Sequence, residues 1–587
     1  MKHLKIWRSI NSHFGKFSPE LSELNEDETI TANQVYSDEE LEKISRNGFN
    51  AIWVHGLLQH IVKTKVFPEL GEHHKVHQQN LKELIARASR YNLKVFIYMQ
   101  PPRAIFADNP FWKNNQDVAG SVELLKTDDE KDIDCISLCI STQKVKNFLK
   151  EASSRLIKQL PGLGGVILIT ASEYPAHCWS RGGNMLNEFG IAVEQSINCP
   201  RCSKRSPVEI VKEVIDNVHA GIRSVSKEVE IILWNWSWNA YEKDPSPTII
   251  NNLPDDVILM AGFERGSKKK ILDKFRAIDE YSLSFSGPSV RFKNAAKLAQ
   301  KRGLKVITKL QVGTTHELAT APNLPLLGNL YDKAKYIREN NLAGFMGCWN
   351  FGNMITANTA AFNYFLDQKE LGGQKSALKK FAEEYFPGSV SEKVAEAWLQ
   401  FAKAMDYYPF SIPFLYRSPI NYSLAYQLKP GKVNSKPCGR SWLMDERDGD
   451  ILDESLGGIY SLDEIIKGLK QLYRQWEKGL RLFKQGLENV SDVHKTEELN
   501  NAQCCYHVFR SIWNTYRVYK LRLNWSDKKL PSYQKIIQDE LENLEQVLPV
   551  VERDKRLGFH GEAFDYMFNP RLISEKISSL KAQLTRS

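Results

Sequence analysis

The chain predicts a (β/α)8 barrel followed by an all-α C-terminal region. Eight short apolar, β-branched-rich runs alternate with helical patterns from the start to about residue 355. Each run gives way to a cluster of polar, aromatic or charged residues. Beyond residue 356 the strand pattern stops and long helical stripes replace it. Alternation followed by its loss is the signature of a parallel barrel with an appended helical domain. A chain of 587 residues is also too long for one core.

The expected strands are Lys5–Ile10, Ala51–Val54, Lys94–Met99, Val166–Ile169, Ile231–Trp234, Val257–Ala261, Lys305–Leu310 and Gly344–Cys348. Apolar runs of this kind belong to strands buried on both faces. Helical patterns at Asp38–Arg46, Asn80–Tyr91, Thr142–Gln159, Pro207–Ser224, Phe292–Lys301 and Leu330–Asn340 fall between them. Several close on Gly or Asn with a strand immediately after, as in Asn47-Gly48-Phe49-Asn50 and Arg302-Gly303-Leu304-Lys305. Tyr281–Phe285 could form a ninth strand and is read as part of a long sixth crossover. The barrel is expected over 1–355 and the helical domain over 356–587, with helices at Lys379–Glu384, Ser391–Met405, Leu462–Leu487, Glu497–Arg522 and Ser532–Val551. The spacing of Ile465, Leu469, Leu472, Trp476, Leu480 and Phe483 marks a core-facing stripe. Residues 407–460, rich in Pro, Gly, Tyr and Ser, read as an irregular connection, part of it reaching back over the barrel mouth.

Barrel chemistry sits at the C-terminal strand ends. Here these are Ser9–Ser12, His55–Leu57, Gln100–Arg103, Thr170–Glu173, Asn235–Trp238, Phe263–Arg265, Gln311–Thr315 and Trp349–Asn353. Three carboxylates stand out: Glu173, Glu264 and Glu317. Hydrolysis of a glycosidic bond needs a proton donor and a second carboxylate, as nucleophile or as base for water. Glu173, ending the fourth strand among aromatic residues, suits the acid, because desolvation keeps a carboxyl protonated. Glu264, beside Arg265, suits an ionised partner or a local ion pair; Glu317 needs its loop to fold back. Trp234, Trp236 and Trp238 alternate onto one face, where indoles either stack on a pyranose or pack into the core. Arg8, His55, Gln100, Trp179, Arg181, Trp234, Asn235, Trp236, Gln311, Trp349 and Asn350 form the candidate sugar-binding set, in which rings stack and amides and cations meet hydroxyls.

Cys178 with Cys199-Pro-Arg-Cys202 has the spacing of a zinc site completed by His177 or another ligand, or else of free thiols. No cofactor is expected for catalysis, and a structural zinc is the one metal these residues suggest. Nine cysteines in a large chain do not form a disulfide framework. The formal charge of +9, from 79 basic and 70 acidic side chains, is mild and scattered, so a nucleic-acid partner is not expected. No run reaches the ~18 apolar residues of a membrane span, and no secretory signal is visible. A cytoplasmic protein with a carbohydrate partner is expected; its oligomeric state is left open.

Three segments, Asn50–Gly56, Ile169–Tyr174 and Trp349–Asn353, resemble uncharacterised bacterial glycosidase-like barrels, distantly similar to the family-twenty β-hexosaminidases. Asp554–Gly561 is similar to the tail of their helical domains. The resemblance implies an exo-acting glycoside hydrolase with Glu173 as proton donor. It departs where those enzymes carry an Asp before the acid Glu, which is Ser172 here. That replacement argues against substrate-assisted hydrolysis of an N-acetylhexosaminide and for two glutamates, Glu173 with Glu264 or Glu317, with retention expected. The alternatives are a carbohydrate-binding barrel without catalysis and the substrate-assisted hexosaminidase itself.

Overall fold

In the computed structural model every residue is described except 1–2, 13–23, 127–131, 172–173, 187–191, 280, 389, 391, 435, 442–446, 448 and 586–587. Eight parallel strands close into a barrel: β1 (Leu4–Trp7), β2 (Ala51–His55), β3 (Lys94–Met99), β4 (Gly165–Ile169), β5 (Glu230–Trp234), β6 (Ile258–Gly262), β7 (Lys305–Lys309) and β8 (Gly344–Met346). Each strand pairs with its sequence neighbours, and β8 closes onto β1 with Ile6 opposite Met346. All eight expected strands are present.

The strand period explains the interior. Ile6, Trp53, Phe96, Tyr98, Ile167, Ile169, Ile232, Trp234, Met260, Ile307 and Met346 form one buried cluster drawn from every strand. These are alternate positions, so they fill the lumen, and the intervening residues face the helices. The lumen is packed rather than open, with two indoles taking its upper layer.

The outer helices are α1 (Asp38–Arg46), α2 (His74–Arg90), α3 (Gln143–Gln159), α4 (Pro207–Arg223), α5 (Pro247–Asn251), α6 (Val290–Lys301), α7 (Leu327–Glu339) and α8 (Ala357–Asp367), with a further helix at Glu28–Val35 before α1. Thr142, Ser206 and Ser289 cap α3, α4 and α6 through their side chains. The expected stop residues take the left-handed conformation that ends a helix: Gly48 at φ 92°, Asn92 at 58°, Gly303 at 78° and Asn341 at 50°.

The barrel runs past the expected boundary at 355. Its eighth helix, α8, packs Phe362 against Phe345 of β8 and donates from Asn363 to the Asn47 carbonyl, 2.8 Å. Its short, small-residue sequence carries little helical stripe, which hid it from pattern reading. Tyr281–Phe285 forms no strand; the sixth crossover is built on a hairpin, Ser267–Ile271 with Lys274–Ile278, that carries the lysine run 268–270. Two further inserts rise from the mouth. A three-stranded sheet of Ile105–Phe106, Ala119–Lys126 and Asp132–Leu138 follows β3, and a hairpin of Gly183–Leu186 with Ala192–Gln195 follows β4.

The C-terminal region is helical apart from a small hairpin, Phe559–His560 with Asp565–Tyr566. Its long helices are α9 (Gln374–Tyr385), α10 (Lys393–Ala404), α11 (Leu462–Gly486), α12 (Val493–Leu523), α13 (Leu530–Arg553) and α14 (Pro570–Thr585). The predicted stripe on α11 is buried, with Trp476 tilted against Phe401 of α10 at 4.5 Å. Glu498 of α12 crosses to the barrel and accepts the N–H of Ala357 at the start of α8, 2.9 Å. The connection around 407–460 contains a short helix, Ile412–Arg417, and returns to the loop after β7. There the Tyr408 hydroxyl donates to the Glu317 carbonyl and Asn421 accepts from the N–H of Ala319.

Candidate active site at the barrel mouth

At the C-terminal ends of the strands the top of the packed lumen is aromatic, and Trp349 closes over it. Trp53 of β2 and Trp349, three residues past β8, stack with ring centroids 5.0 Å apart and planes 13° off parallel. Tyr98 meets the Trp349 edge at 4.6 Å and Trp234 meets it at 4.9 Å. Rings from three other strands thus converge on Trp349. Such contacts contribute about 0.5–1.5 kcal/mol each beyond the area they bury. Trp349 and Trp236 are half-buried, and both pack on the lumen cluster.

Cations are built into this surface. Arg8 is fully buried. Its guanidinium lies 3.9 Å over the Trp53 ring, pairs with Glu28 at 2.5 Å, and donates from Nε to the Asn350 carbonyl at 3.2 Å. It therefore ties β1, β2 and the loop after β8 together beneath the aromatic floor. Lys309, ending β7, lies 3.8 Å over the Tyr281 ring. Arg265 stands over Trp236 at 5.4 Å. His55 tilts against Tyr98 at 5.3 Å, and Arg103 pairs with Gln100 while lying 4.2 Å over Tyr174.

A second wall comes from the helical region. His316 packs among Tyr281, Phe351 and Tyr416 and lies 3.6 Å from a Glu562 oxygen. The C-terminal hairpin carries Glu562 there, anchored by the Gly558 N–H on the Thr320 carbonyl at 2.8 Å. Burial, with His560 and Lys309 nearby, holds His316 well below its ordinary pKa.

The predicted carboxylates part company. Glu173 lies outside the described residues. Glu264 is fully buried and turned toward helix α7, where Lys333 meets it at 2.6 Å and the Gln311 N–H donates to it at 3.1 Å. Glu317 is likewise buried and accepts from the Ser284 N–H at 3.0 Å and the Thr315 hydroxyl at 3.1 Å. Desolvation raises its pKa. Neither carboxylate reaches solvent, and both sit behind the loop after β7. The strand ends at Gly262, two residues before Glu264, so the pairing no longer fixes where that side chain points.

The sugar-binding set divides in the same way. Arg8, His55, Gln100, Trp234, Trp236, Trp349 and Asn350 gather at the mouth. Asn235 bonds through its backbone to the Met260 carbonyl at 3.0 Å. Gln311 is fully buried, donating to the Thr314 carbonyl at 2.6 Å. Trp238 leaves the shared face: the strand ends at Trp234, and the Trp238 indole turns into the outer core, donating to Thr170 at 2.8 Å. Trp179 and Arg181 are drawn into the inserts. Trp179 donates to the Cys202 carbonyl at 3.0 Å, and Arg181 donates to the Leu124 carbonyl at 2.7 Å and faces Glu123. Tyr98, Lys309, Glu28 and Glu562 escaped the reading of the sequence. Strand period alone places Tyr98 and Lys309 inward at the rim; the last two depend on tertiary contacts.

Cys178, Cys199 and Cys202 do converge, and Cys139 joins them, all four sulfurs lying within 4.8 Å of one another. His177 does not join them. It is buried against the Thr170 carbonyl and accepts from the Trp179 N–H, with a pKa lowered to about 4 by burial.

The fold and this mouth define a (β/α)8 barrel with a helical C-terminal domain and an aromatic, cation-lined upper face. Across 99% of its length the chain is similar in structure to a GH138 enzyme targeting pectin rhamnogalacturonan II, with a TM-score of 0.52 and 10% identity. It spans 66% of that protein's chain. A native Bacteroidetes-affiliated GH5 cellulase linked with a polysaccharide utilization locus matches 65% of this chain over 95% of its own, with a TM-score of 0.39 and 13% identity. A GH5-4 broad specificity endoglucanase from Clostridium acetobutylicum matches 60% over 90% of its own, with a TM-score of 0.34 and 11% identity. The first likeness is one of fold; the other two are too distant to add to it. No family model matches the chain, and no curated protein matches it. Nothing in these comparisons ties it to the family-twenty β-hexosaminidases. Among the described residues no helix is long and apolar enough to cross a membrane.

Proposed function

We propose that this chain is a glycoside hydrolase acting on a carbohydrate held at the barrel mouth. The observation that carries the reading is the Trp53–Trp349 stack at the strand ends, where Trp349 and Trp236 stay half-buried on top of the packed lumen. Indoles bury the C–H face of a sugar ring, and amides and cations orient its hydroxyls. The fold shared with a GH138 enzyme is consistent with that chemistry.

Glu173 is the proposed acid/base, four residues past the end of β4. Its partner must be a carboxylate that can meet the sugar. Glu264 and Glu317 are fully buried, whereas Glu562 keeps part of its surface and stands at the wall beside His316. Glu562 is therefore the better candidate for the second carboxylate. Carboxyls ~5–5.5 Å apart lead to retention through a glycosyl-enzyme, and ~6.5–9.5 Å leaves room for an attacking water and leads to inversion. Hydrolysis from a chain end is the mode proposed.

The test is hydrolysis of a panel of aryl glycosides and of pectic and β-glucan oligosaccharides by the full chain, with the product anomer followed by NMR. Glu173→Gln should lower turnover on natural glycosides by ~10²–10⁴ and much less on activated aryl glycosides. Glu562→Gln should lower both, because the nucleophile or base serves every leaving group. Binding of oligosaccharides with no turnover on any of them would favour the second reading, a carbohydrate-binding barrel. The burial of Glu264 and Glu317 is the observation on that side.

A further inference from the structure

We propose that Cys139, Cys178, Cys199 and Cys202 hold a structural zinc ion that clamps the two inserts above the barrel mouth to each other. The four sulfurs come from three separate stretches of chain. Cys139 directly follows the last strand of the sheet inserted after β3, Cys178 lies in the loop after β4, and Cys199-Pro-Arg-Cys202 forms a tight turn before α4. All four are buried, and none is disulfide-bonded. The Cys139 sulfur lies 3.7 Å from that of Cys199 and 3.5 Å from that of Cys202. A tetrahedron with Zn–S bonds of ~2.3 Å has edges of about 3.8 Å, so the cluster already has the size a zinc ion requires. A disulfide, with sulfurs ~2.05 Å apart, would need these groups to close much further.

The surroundings suit a tetrathiolate. On binding, each thiol gives up its proton to solvent and each sulfur donates an electron pair to the metal, leaving a centre of net charge −2. The Arg201 guanidinium, inside the Cys-Pro-Arg-Cys turn, donates from Nε to the Cys139 sulfur at 3.2 Å. Ser141 lies 3.2 Å from the Cys202 sulfur, and Arg205 donates to that hydroxyl at 2.9 Å. Gly120 leaves the room: a Cβ there would overlap the Cys178 sulfur. Hydrogen bonds from partners outside the ligand set are what orient metal thiolates. Soft sulfur ligands in a closed tetrahedral set select Zn²⁺, and with every position taken by protein the ion is structural.

The clamp has a mechanical consequence. Two other links join the same segments: Asn198 exchanges both amide hydrogen bonds with the backbone of Val122, at 2.8 and 3.0 Å, and Ser121 donates to the Cys178 carbonyl at 3.2 Å. The metal completes a cross-brace between the third and fourth barrel loops. It holds Trp179 and Arg181 in the inserts, and it stands apart from the sugar-binding reading of the mouth.

The experiment is elemental analysis of the native full chain after gel filtration in metal-free buffer, alongside three variants. About one zinc per chain is expected in the native protein and in Cys135→Ser, which removes a buried thiol outside the cluster. Cys139→Ser and Cys199→Ser should both lose it. Cobalt added to stripped native protein should show the ligand-field bands of tetrahedral Co(II) thiolate, and p-mercuribenzoate should release zinc in proportion to the thiols it consumes. These two measurements need no variant to fold. Native protein without zinc, iron in its place, a Cys199–Cys202 disulfide by mass spectrometry, or full zinc content in Cys139→Ser would each overturn the proposal.

Discussion

Replacing Lys333 by methionine should destabilise the barrel by about 3–5 kcal/mol, the cost of leaving one partner of a buried ion pair behind. The Lys333 Nζ and the Glu264 carboxylate are 2.6 Å apart with no solvent exposure on either side. Lys333 also donates to the carbonyls of Ser282 at 3.4 Å and Gln311 at 3.3 Å, joining α7 to the loops after β6 and β7. Methionine fills the aliphatic volume but leaves Glu264 with the Gln311 N–H as its one remaining hydrogen-bond donor among the described residues. Removing both charges, with Glu264→Leu and Lys333→Met together, should recover most of the loss, since an apolar pair of similar volume avoids two desolvation costs. The assay is urea unfolding at pH 7 followed by tryptophan fluorescence on the native chain, both single variants and the double variant. A coupling of more than about 2 kcal/mol in that cycle is expected. A further variant, Glu264→Gln, decides what Glu264 does. A structural carboxylate makes Glu264→Gln less stable, whereas a nucleophile makes it inactive at unchanged stability. Unfolding of Lys333→Met within about 0.5 kcal/mol of the native chain would refute the reasoning. So would a Glu264→Gln protein of native stability whose turnover has fallen ~10²-fold or more.

Two further outcomes follow from the same structure. Trp349→Leu should weaken oligosaccharide binding about tenfold by titration calorimetry while the chain stays folded, because it removes the ring on which Trp53, Tyr98 and Trp234 converge; unchanged affinity would remove Trp349 from the sugar platform. Burial raises the Glu498 carboxyl to about 7 where it accepts the Ala357 N–H. A folded pKa above the unfolded value of about 4.3 means stability present below that value and lost as pH rises through 7, by about 4 kcal/mol in full. Unfolding midpoints measured from pH 5 to 8 should therefore decline less in Glu498→Gln, which keeps the acceptor oxygen and cannot ionise. Parallel curves would place the titration elsewhere.

Strand number, most of the barrel helices and the change to a helical domain were legible in the sequence because they rest on local periodicity and stop residues. A doubly buried strand must be apolar along its length, as Val166–Ile169 is, and a helix must end where Gly48, Asn92, Gly303 or Asn341 can turn left-handed. That Trp234 and Trp236 share a face followed from the same two-residue period, while only the tertiary structure showed that this face is the lumen. Where a strand stops the period stops with it, and the tertiary structure alone decided what came next. Trp238 turned outward one turn after β5, and Glu264 met a lysine 69 residues along the chain. Cys139 completed a cluster whose other members lie as far as residue 202, and Glu562 came to the mouth from the end of the helical domain. Side chains beyond the last paired residue of a strand are placed by loops and by partners distant in sequence. The chain's own local pattern therefore determined which scaffold would form, while packing between remote segments decided which carboxylates, thiols and rings face one another at the C-terminal strand ends.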